Sequence, residues 1–221
     1  MAEFFRQFGS YYNQYSLAWD DDLLYKKGTQ MLEMKKPVGY IVTYTGKVFD
    51  LLDPKPDTVC IEDIAHALSN ICRYTGHTKQ FYSVAQHSVL MATTKELPGD
   101  PLQKLLHDAA EAYIGDMASP WKRILRVEIP GRAYYHTVKI HEHRIQKVIE
   151  KALEVDLTPS AEVKESDIRM FWTEVRDLMS DMSEDFEWGP PKMPPIEKKI
   201  IPWQPSLAEG MFLSVYNRLK G

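Results

Sequence analysis

Cysteine is nearly absent: Cys60 and Cys72 are the two in 221 residues. Two cysteines cannot build a disulfide framework, and a spacing of twelve fits no compact zinc pattern. Both are read as small apolar residues on one helix. Long apolar runs are missing too. Nothing approaches the roughly 18 consecutive apolar residues a membrane helix requires, so no membrane partner is expected. Positive charge is not in excess, since 27 Lys and Arg against 31 Asp and Glu give a net charge of −4. That balance argues against nucleic acid as a partner, which needs basic residues facing phosphates. It leaves room for a small anionic substrate, because a metal and a few local cations override the global sign. The first residues, MAEFFRQFGSYYNQ, lack the basic start and apolar middle of a signal peptide, so the expected location is cytoplasmic. P-loop, dinucleotide fingerprint, zincin motif and nucleophile elbow are all missing.

What is present reads as one folded domain with an arm and a tail. Hydrophobic residues make up 44% and charged residues 26%, enough for a proper core. In the segment 1–39, Phe4, Phe8, Tyr11, Tyr15 and Trp19 recur at helical spacing. This is an amphipathic helix packed on the body or an oligomer contact. YIVTYTGKVFD (40–50) alternates around Thr45-Gly46 and predicts a short hairpin. A helix over about 60–73 follows, with Ile61, Ile64, Ala65, Leu68 and Ile71 on one face. Ser83-Val-Ala-Gln86 and Asp100-Pro-Leu-Gln103 look like helix starts, the second ending at Gly115. Further helices are expected over about 133–154 and from Thr158-Pro159 to about 181. GPPKMPPIEKKIIPWQP should meander over the surface, before a capping box at Ser206 opens a last helix. The body is placed at 40–182, with the meander and final helix of 183–221 packed on it.

The chemistry concentrates in three places. In LLHDAAEAYIGD (105–116), His107, Asp108 and Glu111 share one side of a helix whose neighbours are apolar. Charged groups in such company are paired or bind metal, unless the pair merely fills a polar gap. His87 shares a face with Val84 and Met91, which points it inward. A lone inward His is commonly a satisfied core residue, but a second His-Asp helix twenty residues on shifts that balance. Asp167 stands on the apolar stripe of the 158–181 helix, and Glu174, seven further on, is a weaker rival. Two His and two carboxylates suit a borderline divalent ion such as Mn, Co, Ni, Zn or Fe; Mg stays among the candidates, and the sequence does not fix the identity.

The ordered set His87 … His107-Asp108 … Asp167 resembles the H…HD…D signature of HD-domain phosphohydrolases. The likeness is closest to bacterial 5′-deoxyribonucleotidases and related phage deoxynucleotide hydrolases. ICRYTGHTKQFYSVAQHS (71–88), LLHDAAEAYIGDMASPWKR (105–123) and VKESD (163–167) carry it, over about residues 40–182. It implies an all-α HD-domain bundle of about five or six helices, with the small hairpin near its start and the metal held between helices. It also implies that Arg73 grips the substrate phosphate, that Glu111 orients or activates the attacking water, and that Asp116 lies near the sugar or protonates the leaving oxygen. Asp116 could equally be the N-cap of the next helix, and Arg73 a surface residue closing its own.

Tyr74, His77, Lys79 and Trp121 are candidate substrate contacts, with Phe81 and Tyr82 as further rings that stack or merely pack. Lys122 and Arg123 sit beside Trp121 and read as solvated charges. His141 and His143 fall on different sides of a helix, which disfavours a second metal story. The implied activity is hydrolysis at the α-phosphate of deoxynucleotides, as a dNMP 5′-nucleotidase or as a dNTP triphosphohydrolase. A catalytically inactive nucleotide-binding regulator is the reading from another class, disfavoured because the expected ligands and Glu111 are intact. Relatives of this kind form dimers or rings, so a homo-oligomer is expected.

Overall fold

In the computed structural model, which describes residues 39–128, 135–181 and 193–221, the alternating stretch forms the expected hairpin. Strand β1 (Tyr40–Val42) pairs antiparallel with β2 (Val48–Asp50), placing Ile41 opposite Phe49. Gly46 turns the chain at φ +83°, where a Cβ is disfavoured. Phe49 is buried against the Tyr113 ring, and Asp63 accepts hydrogen bonds from the Thr45 N–H (2.7 Å) and hydroxyl (2.9 Å). A two-stranded hairpin is marginal alone, so these contacts fasten it to the helical body.

The rest is mostly helical: α1 (Ile61–Asn70), α2 (Val84–Thr93), α3 (Pro101–Leu106), α4 (Glu111–Ile114), α5 (Ser119–Ile124), α6 (Val138–Leu153), α7 (Ala161–Leu178) and α8 (Pro205–Lys220). The main core joins Ile64, Ala65 and Leu68 of α1 to Val84 and Val89 of α2, Leu105 and Leu106 of α3, Ile145 and Ile149 of α6, and Phe212 of α8. Each of the larger of these side chains contributes about 1.5–3 kcal/mol by leaving water. A second cluster sets Met91 and Leu97 against Val163, Met170 and Leu178 of α7, together with Ile196 and Ile200 of the meander. Helix α2 packs on α1, α3, α7 and α8, so every residue from Val84 to Val89 is buried, Gln86, His87 and Ser88 included.

Local punctuation behaves as the sequence suggests in two places. The Ser83 hydroxyl caps α2 through the Gln86 N–H, and the Asp100 carboxylate caps α3 through the Gln103 N–H, with Pro101 first in the helix. Other boundaries move. The helix expected over 60–73 runs only from Ile61 to Asn70. Cys60 stands before it and Cys72 beyond it, so the two do not share a helix. The helix expected from about 133 starts at Val138, preceded by an unanticipated hairpin of β3 (Arg126–Glu128) and β4 (Tyr135–Thr137). Ser160 rather than Thr158 caps α7. The last helix begins at Pro205 with Gln204 as its cap, so Ser206 lies inside it.

The largest departure is at the His-Asp pair. The helix expected from 101 to Gly115 is two helices, α3 and α4, with a turn over 107–110. Gln146 of α6 supplies the reason. In a continuous helix the Ala110 N–H would bond to the Leu106 carbonyl. Instead the Gln146 amide enters between them, accepting from the Ala110 N–H at 3.2 Å and donating to the Leu106 oxygen at 2.9 Å. The turn closes through tighter bonds, Ala109 N–H to Leu106 O and Glu111 N–H to Asp108 O.

The meander over 193–204 is laid on α7 by side chains. Thr173 accepts the Ile196 N–H, Asp177 the Ile200 N–H, and Arg176 donates to the Ile196 carbonyl. Ile196 and Ile200 are buried there, so this stretch adds to the core as well as crossing the surface. The compact unit spans Gly39–Gly221. The arm helix expected within residues 1–38, and the start of the proline-rich run, lie outside the described residues. Among the described residues no helix is long and apolar enough to cross a membrane.

Candidate metal centre

His87, His107 and Asp108 converge, with one potential ligand atom from each lying within 4.8 Å of the others. The two imidazole Nε2 atoms are 3.3 Å apart, and Asp108 Oδ2 lies 3.1 Å from that of His107 and 3.9 Å from that of His87. Asp167 stands beside this trio, its Oδ1 3.7 Å from His87 Nε2 and its Oδ2 paired with Lys164 at 3.0 Å.

Both imidazoles are oriented from behind. His107 Nδ1–H donates to the Lys104 carbonyl at 2.8 Å, and His87 Nδ1–H to Glu174 Oε1 at 2.6 Å. Each Nε2 is thereby left to face the other. Glu174 is the residue the sequence undervalues. As a ligand the sequence makes it a weak rival of Asp167, but it works from the far side of His87. Fully buried on α7, it also meets Arg73 Nη2 at 3.3 Å and accepts the Tyr74 hydroxyl. Its spacing of seven from Asp167 was the available signal. One helix face offers a carboxylate to each nitrogen of the same imidazole.

Arg73 does not close a surface helix. It follows α1 and turns inward, Nη1 reaching Asp108 Oδ2 at 3.4 Å, with Nε buried and unpartnered among the described residues. Directly after it Tyr74 and Thr75 hold φ of 56° and 55°, a left-handed turn that β-branched and bulky side chains rarely adopt. The turn delivers the Tyr74 hydroxyl to Glu174 and sets the Arg73 guanidinium 5.3 Å from the Tyr74 ring centre.

Electrostatics follow from crowding of charge in a dry place. Burial opposes ionisation of Asp108, but His107, His87 and Arg73 hold its carboxyl well below the usual range. Burial also disfavours the His107 cation, yet Asp108 beside it leaves the imidazole pushed up to about 9. Burial of Glu174 is outweighed by Arg73 and His87, leaving it at about 2. Glu111 behaves oppositely: burial, then Asp108 and Asp116, push its carboxyl up. Asp116 is likewise raised by burial and Asp108, against the pull of Arg73. It caps no helix, since the N-cap position of α5 is Ala118.

The donor set fits a divalent metal. Ligand atoms sharing one ion at roughly 2.0–2.2 Å stand roughly 3–4.3 Å apart, the range seen here. The concentration of carboxylates that draws a proton onto His107 would draw a cation in its place. Two imidazole nitrogens with carboxylate oxygens are a borderline set, suited to Mn, Fe, Co, Ni or Zn.

The remaining candidates divide. Tyr74 joins the centre through Glu174. His77 and Lys79 are exposed in the loop after Arg73, and Trp121 is 54% exposed on α5, with no hydrogen bond from any of the three side chains to the centre among the described residues. Tyr82 is buried core and Phe81 is partly exposed. His141 is buried and His143 exposed on α6, as their spacing implied.

No protein-family model matches the chain. The uncharacterized protein YfdR of Escherichia coli (strain K12) is 37% identical over 186 residues, which cover 82% of this chain and 96% of YfdR. The uncharacterized protein RCAP_rcc00048 of Rhodobacter capsulatus is 44% identical over 86 residues, 35% of this chain and 44% of that protein. The first likeness runs through nearly the whole of YfdR, so it concerns the fold unit and not a shared motif alone.

Proposed function

The chain belongs to the same family as YfdR, and on the geometry of its site we propose that it is a divalent-metal-dependent phosphohydrolase of the HD-domain type. It acts in the cytoplasm at the α-phosphate of deoxynucleotides, with dNMPs as first choice. The observation that carries the reading is the convergence of His87 Nε2, His107 Nε2 and Asp108 Oδ2, with both imidazoles oriented from behind. Two unmatched groups beside the trio add support: an acceptor, Glu111 Oε2, and a donor, Arg73 Nε.

His87, His107, Asp108 and Asp167 hold the metal. When bound, it supplies Lewis acidity toward a phosphoryl oxygen and lowers the pKa of water. Glu111, whose proton affinity is raised, takes a proton from the attacking water. Arg73 neutralises the phosphate and fixes its orientation, a task suited to a planar guanidinium. As the new P–O bond forms and the bond to the 5′-oxygen breaks, Asp116 gives that oxygen its proton. Phosphate and a deoxynucleoside leave.

Monophosphates are favoured over triphosphates by the charge around the site. Among the described residues, three cations paired with its carboxylates are already matched: Arg73 by Asp108 and Glu174, Lys122 by Glu111 and Glu142, Lys164 by Asp167. Three phosphates would ask for more. The test is to load the protein with Mn or Co, offer each dNMP and dNTP separately, and quantify nucleoside, phosphate and triphosphate. Phosphate and nucleoside from monophosphates are expected. Nucleoside with intact triphosphate would move the assignment to a dNTP triphosphohydrolase. No product despite stoichiometric metal would sink the enzymatic reading in favour of a nucleotide-binding regulator.

A further inference from the structure

Lys122 reads in the sequence as a solvated charge at the rim, and the structure places it elsewhere. Its ammonium lies 3.2 Å from Glu111 Oε1 and 2.6 Å from Glu142 Oε1, and its side chain is largely buried. Burial disfavours the charge, but the two carboxylates more than restore it and its pKa is raised. A lysine serving only solubility would point into water, whereas this one is turned onto two carboxylates. The partners also differ in kind. Glu142 belongs to the long helix α6, whereas Glu111 opens a four-residue helix after an irregular turn. The helix beneath Glu111 is a single turn, and its carboxylate is anchored from outside that helix.

That anchor has a second arm. Gln146 lies one helical turn after Glu142, and its amide holds the His-Asp turn open at Leu106 and Ala110. One stretch of α6 thus braces the backbone beside Asp108 through Gln146 and the carboxylate of Glu111 through Glu142 and Lys122. The two oxygens of Glu111 are left in different states: Oε1 is gripped by Lys122, and Oε2 is buried with no partner among the described residues. A carboxylate held by one oxygen and bare at the other cannot rotate without losing its ion pair.

We propose that Lys122, itself held by Glu142, is a positioning residue that grips one oxygen of Glu111 and thereby fixes the other for proton transfer. The inference rests on the reading of Glu111 as the base of a phosphohydrolase. It assigns Lys122 no contact with substrate and no part in binding metal.

Three variants test it, Lys122→Met, Lys122→Arg and Glu142→Gln, with Mn content and the kinetics of dNMP hydrolysis measured for each. Lys122→Met should lower kcat by about 10- to 100-fold, part of the ~10²–10⁴ a positioned base supplies, with KM within about twofold and full Mn content. Lys122→Arg should recover most of that loss, and Glu142→Gln should lower kcat several-fold. In a Glu111→Gln background, Lys122→Met should have no further effect, because a residue acting through another has nothing left to act on. Losses that multiply in the double variant would overturn the proposal. So would a KM that rises with kcat intact, which would make Lys122 a phosphate contact. A crystal structure of Mn-loaded Lys122→Met decides the matter without turnover. The Glu111 carboxylate should leave its place while His87, His107 and Asp108 keep theirs, and an unmoved Glu111 would overturn the proposal even if the wild type hydrolyses no nucleotide.

Discussion

Glu174 Oε1 receives the Nδ1 proton of His87 at 2.6 Å, and both side chains are wholly out of water. The bond fixes which nitrogen of the ring is free. It also ties α2 to α7, so the geometry of the centre depends on how two helices distant in sequence meet.

Replacing Glu174 with Gln keeps an acceptor for the imidazole and removes the charge that balances Arg73. Mn affinity should fall about 10- to 100-fold, the usual cost of losing an outer partner of a ligating His. Isothermal titration with Mn measures this directly. An unchanged Kd would show that the His87–Glu174 bond does not orient the ligand.

Asp108 and Glu111 should separate in their effects. Asp108→Ala should remove tight metal binding and turnover together. Glu111→Gln should leave most metal binding and lower kcat by about 10²–10⁴. Metal analysis beside steady-state kinetics checks both. Full activity of the Asp108 variant in metal-free buffer would refute the mechanism.

Metal should stabilise the fold as well as activate it. At a hundred times its Kd, a ligand specific to the native state adds about 2.7 kcal/mol. Mn titrated against the chelated protein should raise Tm progressively, and the Asp108→Ala variant should show no such rise.

Thr75 occupies the left-handed region at φ 55° on an exposed turn. A single non-glycine residue there costs roughly 1–2 kcal/mol. Thr75→Gly should stabilise by about 1 kcal/mol once the extra freedom of the unfolded chain is subtracted. For a domain of this size that is about 2–4 °C in Tm. A lower Tm would mean that the threonine side chain holds the turn in some further way.

Asp177 fastens the meander, its Oδ2 accepting the Ile200 N–H at 2.8 Å. Burial raises its carboxyl, but Arg176 and the Ile200 N–H outweigh burial and leave it lowered. A depressed carboxyl stabilises above the unfolded value of about 3.9 and loses that contribution as pH falls through the lower folded value. Asp177→Asn should cost about 1.5–3 kcal/mol at pH 7. The gap to wild type should close in acid, as urea titrations across pH would record.

The sequence discloses what is local and hides what arrives from far away. Ser83 and Asp100 are legible as caps because their partners are three residues on. The inward aim of His87 is legible from Val84 and Met91 on its own helix. The break at His107-Asp108 is not, because the amide that makes it comes from Gln146, 36 residues beyond Ala110. Lys122 reads as solvated because Glu142 reaches it only once the pairing of β3 with β4 brings the chain back. Glu174 was visible as an inward carboxylate. Its role was not, since nothing in the stripe says which nitrogen of His87 it faces.

Gln86, next to His87, spends its side chain on the far end of the protein, donating to the Ile201 carbonyl at 2.7 Å and accepting the Trp203 N–H at 2.8 Å. The consequence falls on biosynthesis. A ribosome that has delivered residues up to about 180 has already released all four proposed ligands, but the clasp beside His87 is still inside or behind the exit tunnel. The nascent chain would thus carry every proposed ligand before this clasp can form, and the centre should take its final geometry only once the last segment has emerged and folded back.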